Sequence, residues 1–278
     1  MKIGIVGLGL IGGSYARALL PYGYEIYGID INEDSLKFAE DEKIIIKGFV
    51  NPKDILKELD VVFLCLYPSQ VKSFFQKYIM SFKEGAVISD VGGIKRKVID
   101  AYDTYRRDDI DFVAAHPIAG KEKSGVEHSD SSIFKGANFV ITRTSYNLDE
   151  SINLIQVLAK QMGFKNISIM SDRDHDEAIS YTSQLTHILA MALINSNQDN
   201  YHTKDLIGDS FRDLTRIANI NDLLWSELFL QNKDFLLRSI EHFEDDLGQI
   251  KVAIKNKDQD TLQKLMKEAT KRRRSLDE

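Results

Sequence analysis

The stretch GLGLIGGS, residues 7–14, decides the fold of this chain of 278 residues. Glycines at positions 7, 9 and 12 follow the spacing G-x-G-x-x-G, directly after the strand-like run KIGIV and at the start of a helical period. Such a turn is a strong signal when a strand precedes it, a helix follows it and an acidic residue ends the next strand. Asp30 ends the next strand-like run, EIYGID. The motif and its context therefore predict a strand, turn and helix that bind a dinucleotide.

Each residue of this unit has its own physical role. Gly7 permits the tight turn, Gly9 lets the backbone approach a pyrophosphate, and Gly12 lets the helix pack closely on the strand. The helix N-terminus then faces the phosphate charge, and Asp30 accepts hydrogen bonds from the adenosine ribose. Its carboxylate would repel a 2′-phosphate, and the next two residues supply no arginine, so the sequence favours NAD over NADP. The predicted cofactor-binding residues are Gly7, Leu8, Gly9, Leu10, Ile11, Gly12 and Asp30.

Short apolar runs alternate with helical periods in the front half of the chain, a pattern that predicts right-handed crossovers and a parallel sheet. From Asp174 onward the chain has helical periods, with more apolar surface than a solvated helix can hide. We expect an α/β fold: an N-terminal Rossmann-type, doubly wound parallel sheet over residues 1–172, then an all-helical domain over residues 173–278. Pairing of that helical domain with a second copy, as a homodimer, would bury its excess apolar surface. The predicted strands are KIGIVGL, EIYGID, VVFLCL, AVISDV, DFVAAHP, GANFVIT and NISIMS.

Composition disfavours several classes of function. The net charge is −6, and the basic run KRRR at 271–274 is typical of a solvated helix end, so we expect no nucleic-acid partner. The one cysteine, Cys65, lies in a buried strand-like run, which excludes a disulfide framework within the chain. No signal peptide is predicted, and no apolar run reaches the ~18 residues of a membrane span. We therefore expect a cytoplasmic protein. No pair of histidines has metal-ligand spacing alongside carboxylates, so no metal is expected.

His116 follows the strand-like run DFVAA, and ligands of open α/β sheets bind beyond the carboxyl ends of the strands. A neutral imidazole there could take the proton of an alcohol while hydride leaves its carbon. The same histidine could equally close the strand and be held by backbone hydrogen bonds. The local sequence does not distinguish between these two interpretations, a catalytic base and a strand-end residue.

A second group of polar residues lies on the predicted first helix of the rear domain. Asp176, Ser180, Ser183 and His187 are spaced by four, three and four residues, so they form one polar stripe. This stripe could be the solvated face of the helix, but we favour a position along a cleft. The neighbouring His175 is interpreted as packing at the helix start.

A third group lies in FRDLTRIANINDLLW, which contains Arg212, Asp213, Arg216 and Trp225. Arginine is suited to hold a carboxylate through two parallel hydrogen bonds. A structural salt bridge is the default alternative for each arginine.

These motifs together resemble one family. GLGLIGGS, DVGGIK, HPIAGKEKSG, HDEAISYTSQLTH and FRDLTRIA occur in the order and at the spacing of the prephenate dehydrogenases of tyrosine biosynthesis, from residue 1 to about residue 230. The resemblance implies the oxidative decarboxylation of prephenate to 4-hydroxyphenylpyruvate, CO2 and NADH, with NAD as cofactor. It implies that His116 binds the ring C4 hydroxyl and accepts its proton. The other implied roles are substrate binding for Ser183, His187, Arg216 and Trp225, and ion pairs that gate the cleft for Glu122, Asp176 and Asp213.

The chain departs from the family at two places. Gly93 in DVGGIK stands where the family usually has a serine that supports the catalytic histidine, so another group or a water must orient His116. Gly208, Asp209 and Ser210 stand where the family often has a run of glycines, which leaves feedback inhibition by tyrosine open.

Other functions remain as alternatives. Arogenate carries an ammonium where prephenate carries a ketone; His187 favours the keto acid, while Asp176 on the same stripe favours the ammonium. An arogenate dehydrogenase or a dual-specificity cyclohexadienyl dehydrogenase is therefore the nearest alternative. A 3-hydroxyacid dehydrogenase would need a lysine on the first rear helix, and none lies between 173 and 203. A non-catalytic NAD-sensing regulator is the most distant alternative.

Overall fold

The computed structural model of the protein describes residues 1–121, 123–197 and 203–276. The chain divides into two compact units, Met1–Asn232 and Lys233–Glu278. The first unit contains the sheet together with the first rear helices. The domain boundary predicted between residues 172 and 173 is a different division of the chain, and it stays a prediction.

The first unit is built on a sheet of eight strands in the order β3-β2-β1-β4-β5-β6-β7-β8. All neighbours are parallel except β6 and β7, which are antiparallel. This arrangement confirms the α/β fold with a doubly wound sheet. The strands are β1 (Lys2–Val6), β2 (Glu25–Ile29), β3 (Lys47–Phe49), β4 (Val61–Leu64), β5 (Val87–Asp90), β6 (Asp111–Ile118), β7 (Asn138–Thr142) and β8 (Asn166–Met170).

Two details of the sheet differ from the expectation. β3 is not among the predicted strands, because three residues are too few to carry a recognisable period. β7 runs antiparallel to β6, whereas a wholly parallel sheet was expected. The described residues of the connection between β6 and β7 contain two short 3-10 turns and no crossover helix, and antiparallel neighbours can be joined without such a helix.

Helices cover both faces of the sheet and form most of the described part of the chain that follows it. A π-helical turn, Ser180–Leu185, lies between α6 and α7. In the first unit the helices are α1 (Leu10–Leu19), α2 (Glu33–Asp41), α3 (Pro68–Tyr78), α4 (Arg96–Asp103), α5 (Asp149–Met162), α6 (Asp172–Ile179), α7 (Thr186–Asn195), α8 (Thr203–Leu206), α9 (Asp209–Thr215) and α10 (Asp222–Gln231). The second unit consists of α11 (Lys233–Lys255) and α12 (Gln259–Arg274), which pack against each other.

The central strands are buried on both faces, which explains why they have continuous apolar sequences. Val61 and Phe63 of β4 point into the apolar cluster on one side of the sheet, and Val62 and Leu64 point into the cluster on the other side. This alternation follows from the period of two along a strand. The sheet is therefore a rigid base for the loops at its carboxyl edge.

No helix in the part of the chain that the structure describes combines the length and the apolar character needed to span a membrane.

The turn after β1 depends on glycine at position 7. Gly7 has φ of +92°, and a Cβ there would lie 2.4 Å from the carbonyl oxygen of Cys65. Its N–H donates to the carbonyl of Ile29 at 2.8 Å, which ties the turn to β2. A Cβ at Gly12 would lie 2.0 Å from the carbonyl oxygen of Gly7, so helix α1 can start this close to β1 only with glycine there.

We expect Gly7→Ala to lower the free energy of unfolding by about 1–3 kcal/mol through backbone strain alone, and further through the contact with Cys65. Urea denaturation of the purified variant measures this change. Gly9→Ala is the matched control, since a Cβ at Gly9 meets no heavy atom within 4 Å. Equal losses of stability in the two variants would contradict the role assigned to the turn.

Candidate active site

The N-terminus of α1 offers hydrogen-bond donors to an anion. The helix begins at Leu10 after Gly9, and glycine has no side chain with which to cap the first-turn N–H groups of Leu10, Ile11 and Gly12. The space where a side chain of Gly9 would project is open to 4 Å. Uncapped donors, the positive end of the helix dipole and this open space together fit a pyrophosphate group.

Asp30 is held in place at the end of β2. One carboxylate oxygen accepts a hydrogen bond from the N–H of Leu8 at 2.6 Å, and the other accepts from the N–H of Asn32 at 2.8 Å. Leu8 itself is buried in the core, so it contributes its backbone to this turn. Each oxygen of Asp30 keeps a further lone pair, which is what ribose hydroxyls require.

His116 lies at the same edge of the sheet as the glycine turn. Val6, Leu64 and Asp90 are paired across β1, β4 and β5, and Ser89 pairs with Val113 of β6. His116 therefore lies just beyond the part of β6 that pairs with β5. The predicted cofactor turn and the predicted base are brought to one edge, on strands about 14 Å apart at the usual strand spacing.

His116 is half-buried and hydrogen-bonded through one ring nitrogen. Its Nδ1 lies 2.9 Å from Nε2 of His175, with the two ring planes at 72°. Nδ1 of His175 lies in turn 2.8 Å from a carboxylate oxygen of Asp176. The three side chains form one hydrogen-bonded series, so His116 is held by a side chain and not by the backbone alone.

Burial and hydrogen bonds together shift the pKa values of His116, His175 and Asp176. Burial lowers the pKa of His116 well below its ordinary value, and the nearby His175 and Lys95 lower it further. Burial also lowers the pKa of His175, against the opposing effect of its hydrogen bond to Asp176. Burial would raise the pKa of Asp176, but hydrogen bonds from His175 and from the amides of Lys95 and Arg96 outweigh it, so this pKa is lowered. At neutral pH the two imidazoles are neutral and the carboxylate is charged.

Asp176 does not lie on an exposed cleft stripe. It is 0% exposed, and its two oxygens accept hydrogen bonds from the N–H of Lys95 at 2.8 Å and from the N–H and Nε of Arg96 at 3.1 and 3.0 Å. The resemblance implied an ion pair that gates the cleft. The structure instead pairs Asp176 with Arg96 in the interior, which corrects the expected position.

Two buried amide side chains extend this network. Nδ2 of Asn232 donates to the carbonyl of Asp176 and to Oε1 of Gln184, both at 2.8 Å. Oδ1 of Asn232 accepts from Arg96 at 2.9 Å, and Gln184 donates to the carbonyl of Leu228 at 2.9 Å. The network fixes α6, the π turn and the end of α10 against the loop between β5 and α4.

The helical side of the site brings His187 and Trp225 together. Their rings stack with centroids 3.6 Å apart at 30°, and Nδ1 of His187 lies 2.8 Å from the carbonyl oxygen of Ser183. Ser183 and His187 are half-buried, whereas Asp176 and Ser180 of the predicted stripe are buried. The π turn explains the difference, because its wider turn breaks the regular spacing on which the stripe was based.

Three predicted site residues remain, Arg216, Asp213 and Glu122. Arg216 opens a short 3-10 turn that packs against α7, the helix that carries His187, and its side chain is exposed. Asp213 is exposed on α9. Glu122 lies outside the described residues.

Family models match most of the chain. Residues 15–168 match the model described as prephenate dehydrogenase, nucleotide-binding domain, and residues 171–268 match prephenate dehydrogenase, dimerization domain. The chain belongs to the prephenate dehydrogenase family.

Individual relatives agree with this assignment. The chain is 31% identical to the prephenate dehydrogenase of Lactococcus lactis over 99% of its own length and 77% of the relative. It is 30% identical to the cyclohexadienyl dehydrogenase of Zymomonas mobilis over 99% of its own length and 95% of the relative. The solved structure of prephenate dehydrogenase from A. aeolicus in complex with hydroxyphenyl propionate and NAD+ has a TM-score of 0.89 at 30% identity and covers 99% of this chain and 98% of that one. Both the recognised family and the dehydrogenase class are thereby confirmed.

Gly93 is the family's usual serine position, and it faces the catalytic candidate. A Cβ at Gly93 would lie 3.7 Å from Nε2 of His116 and 3.4 Å from Cδ2 of Leu228. Leu228 belongs to the apolar cluster that also contains Ile94 and the edge of Trp225. The serine that the resemblance implies at this position would place its side chain beside the Nε2 atom, whereas this chain has no side chain there.

Two residues that contact the candidate site were missed in the sequence analysis. His175 was interpreted as helix packing, and Lys95 was not singled out. Lys95 is fully buried; its Nζ donates to Asp90 and to the carbonyl of Ala115, both at 2.5 Å, while Asp90 accepts from the N–H of Ala115 at 3.0 Å. This ion pair holds the loop that contains Gly93 against the strand end that carries His116. An acidic residue that ends a strand, followed five residues later by a lysine, was the available signal.

Proposed function

We propose that the protein catalyses the NAD-dependent oxidative decarboxylation of prephenate to 4-hydroxyphenylpyruvate, CO2 and NADH. The observation that carries this proposal is the placement of His116: burial holds its pKa well below the ordinary value, Nδ1 is held by His175, and Nε2 lies 3.7 Å from the Cβ position of Gly93. An acceptor nitrogen in that position suits the proton of a hydroxyl group.

NAD is the proposed cofactor, and it supplies the acceptor for hydride when bound. The open N-terminus of α1 and the oriented carboxylate of Asp30 support binding of its pyrophosphate and ribose. Ile31, which follows Asp30, is 86% exposed and apolar, so this position offers no cation to a 2′-phosphate. The A. aeolicus relative, whose structure contains NAD+, supports the same choice.

His116 is the proposed proton acceptor, and later the proton donor, in this reaction. Its Nε2 accepts the proton of the ring C4 hydroxyl as hydride leaves C4, and the bond to the ring carboxylate then breaks to release CO2. The electrons of that bond complete an aromatic ring. His116 returns the proton to the phenolate oxygen, so the sum of the reaction releases no proton.

The substrate carboxylates and side chain need further partners. Arg216 is proposed to hold a carboxylate of prephenate, because a guanidinium can bind it with two hydrogen bonds. Ser183 and His187 are proposed to bind the polar side chain, with Trp225 forming the wall on which His187 stacks. Asp213 and Glu122 are proposed to contribute to gating.

Prephenate is favoured over arogenate for a reason that the sequence did not supply. The ammonium of arogenate needs a carboxylate, and Asp176 was the candidate on the same helix. Both oxygens of Asp176 accept hydrogen bonds from His175, Lys95 and Arg96, and the side chain is fully buried, so it is not available to an ammonium. Arogenate or dual-specificity activity remains the alternative, because a cyclohexadienyl dehydrogenase and, at a TM-score of 0.85 and 25% identity, the Synechocystis arogenate dehydrogenase are relatives.

The protein is further proposed to act as a homodimer. Apolar side chains of the second unit are exposed in the single chain, and exposed apolar surface of this kind is typical of interaction sites. The match to a family model described as a dimerization domain supports the same proposal. A mass of one chain by light scattering would contradict it. The exposed large apolar residues described on this unit are Leu237, Leu247, Ile250, Val252, Ile254, Met266 and Leu276.

Formation of NADH with prephenate and with arogenate, each with NAD and with NADP, tests the proposed function directly. We expect the highest kcat/KM with prephenate and NAD, because Asp176 is unavailable to an ammonium and Asp30 repels a 2′-phosphate. The absorbance of NADH measures the rate. A higher kcat/KM with arogenate would replace the proposed substrate, and failure to turn over either substrate would contradict the proposed function.

His116→Asn should lower kcat by about 10²- to 10⁴-fold, since asparagine can hold a hydroxyl but cannot take its proton. Binding of NAD, measured by calorimetry, should be unchanged because the cofactor turn lies on β1. An unchanged kcat in a folded variant would remove His116 from the mechanism and favour a regulatory protein that senses NAD.

Arg216→Ala should raise KM for prephenate about 10- to 150-fold and leave KM for NAD unchanged, which corresponds to the loss of roughly 1.5–3 kcal/mol from a hydrogen bond to a charged group. Arg212→Ala is the matched control, because Arg212 is an exposed arginine of the neighbouring helix that pairs with Asp209 at 3.5 Å. Equal effects of the two substitutions would mean that Arg216 has only a structural role.

A further inference from the structure

We infer that His175 is a positioning residue: together with Asp176, it fixes His116 in the tautomer whose Nε2 is the proton acceptor. This inference rests on the proposed function, in which His116 is the base. Among the described residues, His175 is the side chain that hydrogen-bonds the ring of His116. The family's usual serine, which would be a second side-chain partner, is Gly93 in this chain.

The positions of the protons follow from the order of the three groups. The charged carboxylate of Asp176 can only accept a hydrogen bond, so Nδ1 of His175, 2.8 Å away, carries a proton. A neutral imidazole has one N–H, so Nε2 of His175 is an acceptor. Nδ1 of His116, 2.9 Å from that acceptor, must then donate. The one remaining nitrogen of His116, Nε2, has a lone pair and faces the space at Gly93.

The donor-to-acceptor direction of these hydrogen bonds is fixed, because the ionised carboxylate of Asp176 can only accept. Three other donors, the amides of Lys95 and Arg96 and Nε of Arg96, point at the same carboxylate. A protonated Asp176 would set an O–H against these donors. His175 is 1% exposed, so water cannot easily supply a substitute partner. The opposite tautomer of His116 would therefore leave two buried acceptors facing each other, either at the contact between the two histidines or at the contact between His175 and the carboxylate, which is costly.

The same series assists the proton transfer after it begins. When Nε2 of His116 takes the hydroxyl proton, the ring becomes cationic, and its Nδ1–H donates more strongly to His175. Asp176 lies behind His175 and supplies the negative charge that the cation requires. This arrangement compensates for the missing side chain at Gly93, where the resemblance implies a serine hydroxyl beside Nε2.

A comparison of four proteins distinguishes this positioning role from a merely structural one. They are the wild type, His175→Gln, His175→Leu and Asp176→Asn. The glutamine oxygen can accept from His116 while its NH2 donates to Asp176, so the polarity of the series is kept. Leucine has a similar volume and no acceptor. Asparagine at 176 avoids the two donors of Arg96 best when its NH2 faces His175, and this reverses the series.

NMR of protein labelled with ¹⁵N-histidine reports the tautomer of His116 without any substrate. We expect the Nδ1–H tautomer in the wild type and in His175→Gln, a mixture in His175→Leu, and the Nε2–H tautomer in Asp176→Asn. An Nε2–H tautomer in the wild type would overturn the inference, and so would an unchanged tautomer in the leucine variant.

Kinetics supply the second readout. In His175→Leu, kcat for prephenate should fall about 10²-fold or more, with little change in KM and in NAD binding, while His175→Gln should retain most of the activity. In Ser-His-Asp triads the wrong tautomer costs about 10⁴ in kcat, and Asp176→Asn should approach that loss. Equal kcat values for the glutamine and leucine variants would overturn the positioning role. If the wild type turns over neither prephenate nor arogenate, the proposed function fails, and the tautomer measurement still decides the inference.

Discussion

The buried carboxylate of Asp176 is the group on which the arrangement of the site depends. It is fully buried, and it accepts hydrogen bonds from one histidine, two backbone amides and one guanidinium. An ionised carboxylate in the interior is stable only when its lone pairs are satisfied in this way. These donors lie at the end of the loop between β5 and α4, at the first residue of α4 and on α6. The requirement to satisfy one charge therefore places the first rear helix against the carboxyl edge of the sheet.

A second buried ion pair, between Lys95 and Asp90, acts on the other side of the same loop. It connects the loop to the strand end beside His116 through the backbone of Ala115. The loop is thus bound to β5 and β6 through the side chain of Lys95, and to α6 through the carboxylate of Asp176. A reacting group needs a supporting shell that holds its geometry to within about half an ångström, and these two pairs provide such a shell for His116.

The features that could be predicted from the sequence are those that local rules govern. The roles of Gly7 and Gly12 follow from steric rules on a turn, and the position of His116 follows from the general location of ligands at the ends of strands. The roles of His175 and Lys95 depend on which side chains meet across the fold, and no local pattern contains that information. Asp176 shows the same limit: its spacing suggested a polar stripe along a cleft, but the backbone donors that hold it in the interior come from residues about eighty positions earlier in the chain. The direction of β7 was missed because it depends on how the connection after His116 crosses the edge of the sheet.

The π turn at Ser180–Leu185 has a consequence for the geometry of the whole rear helix. In an α-helix each residue advances the side chains by about 100°, so a single extra residue in one turn rotates everything that follows by that angle. The residues before the turn are thereby oriented toward the buried carboxylate network, and those after it are oriented toward the indole of Trp225. The helix therefore directs one face toward the carboxylate network before the π turn and another face toward Trp225 after it. The direction changes at the turn that contains Ser183. Removing one residue from the turn would keep the helix and its composition, but it would rotate His187 out of its stack on Trp225.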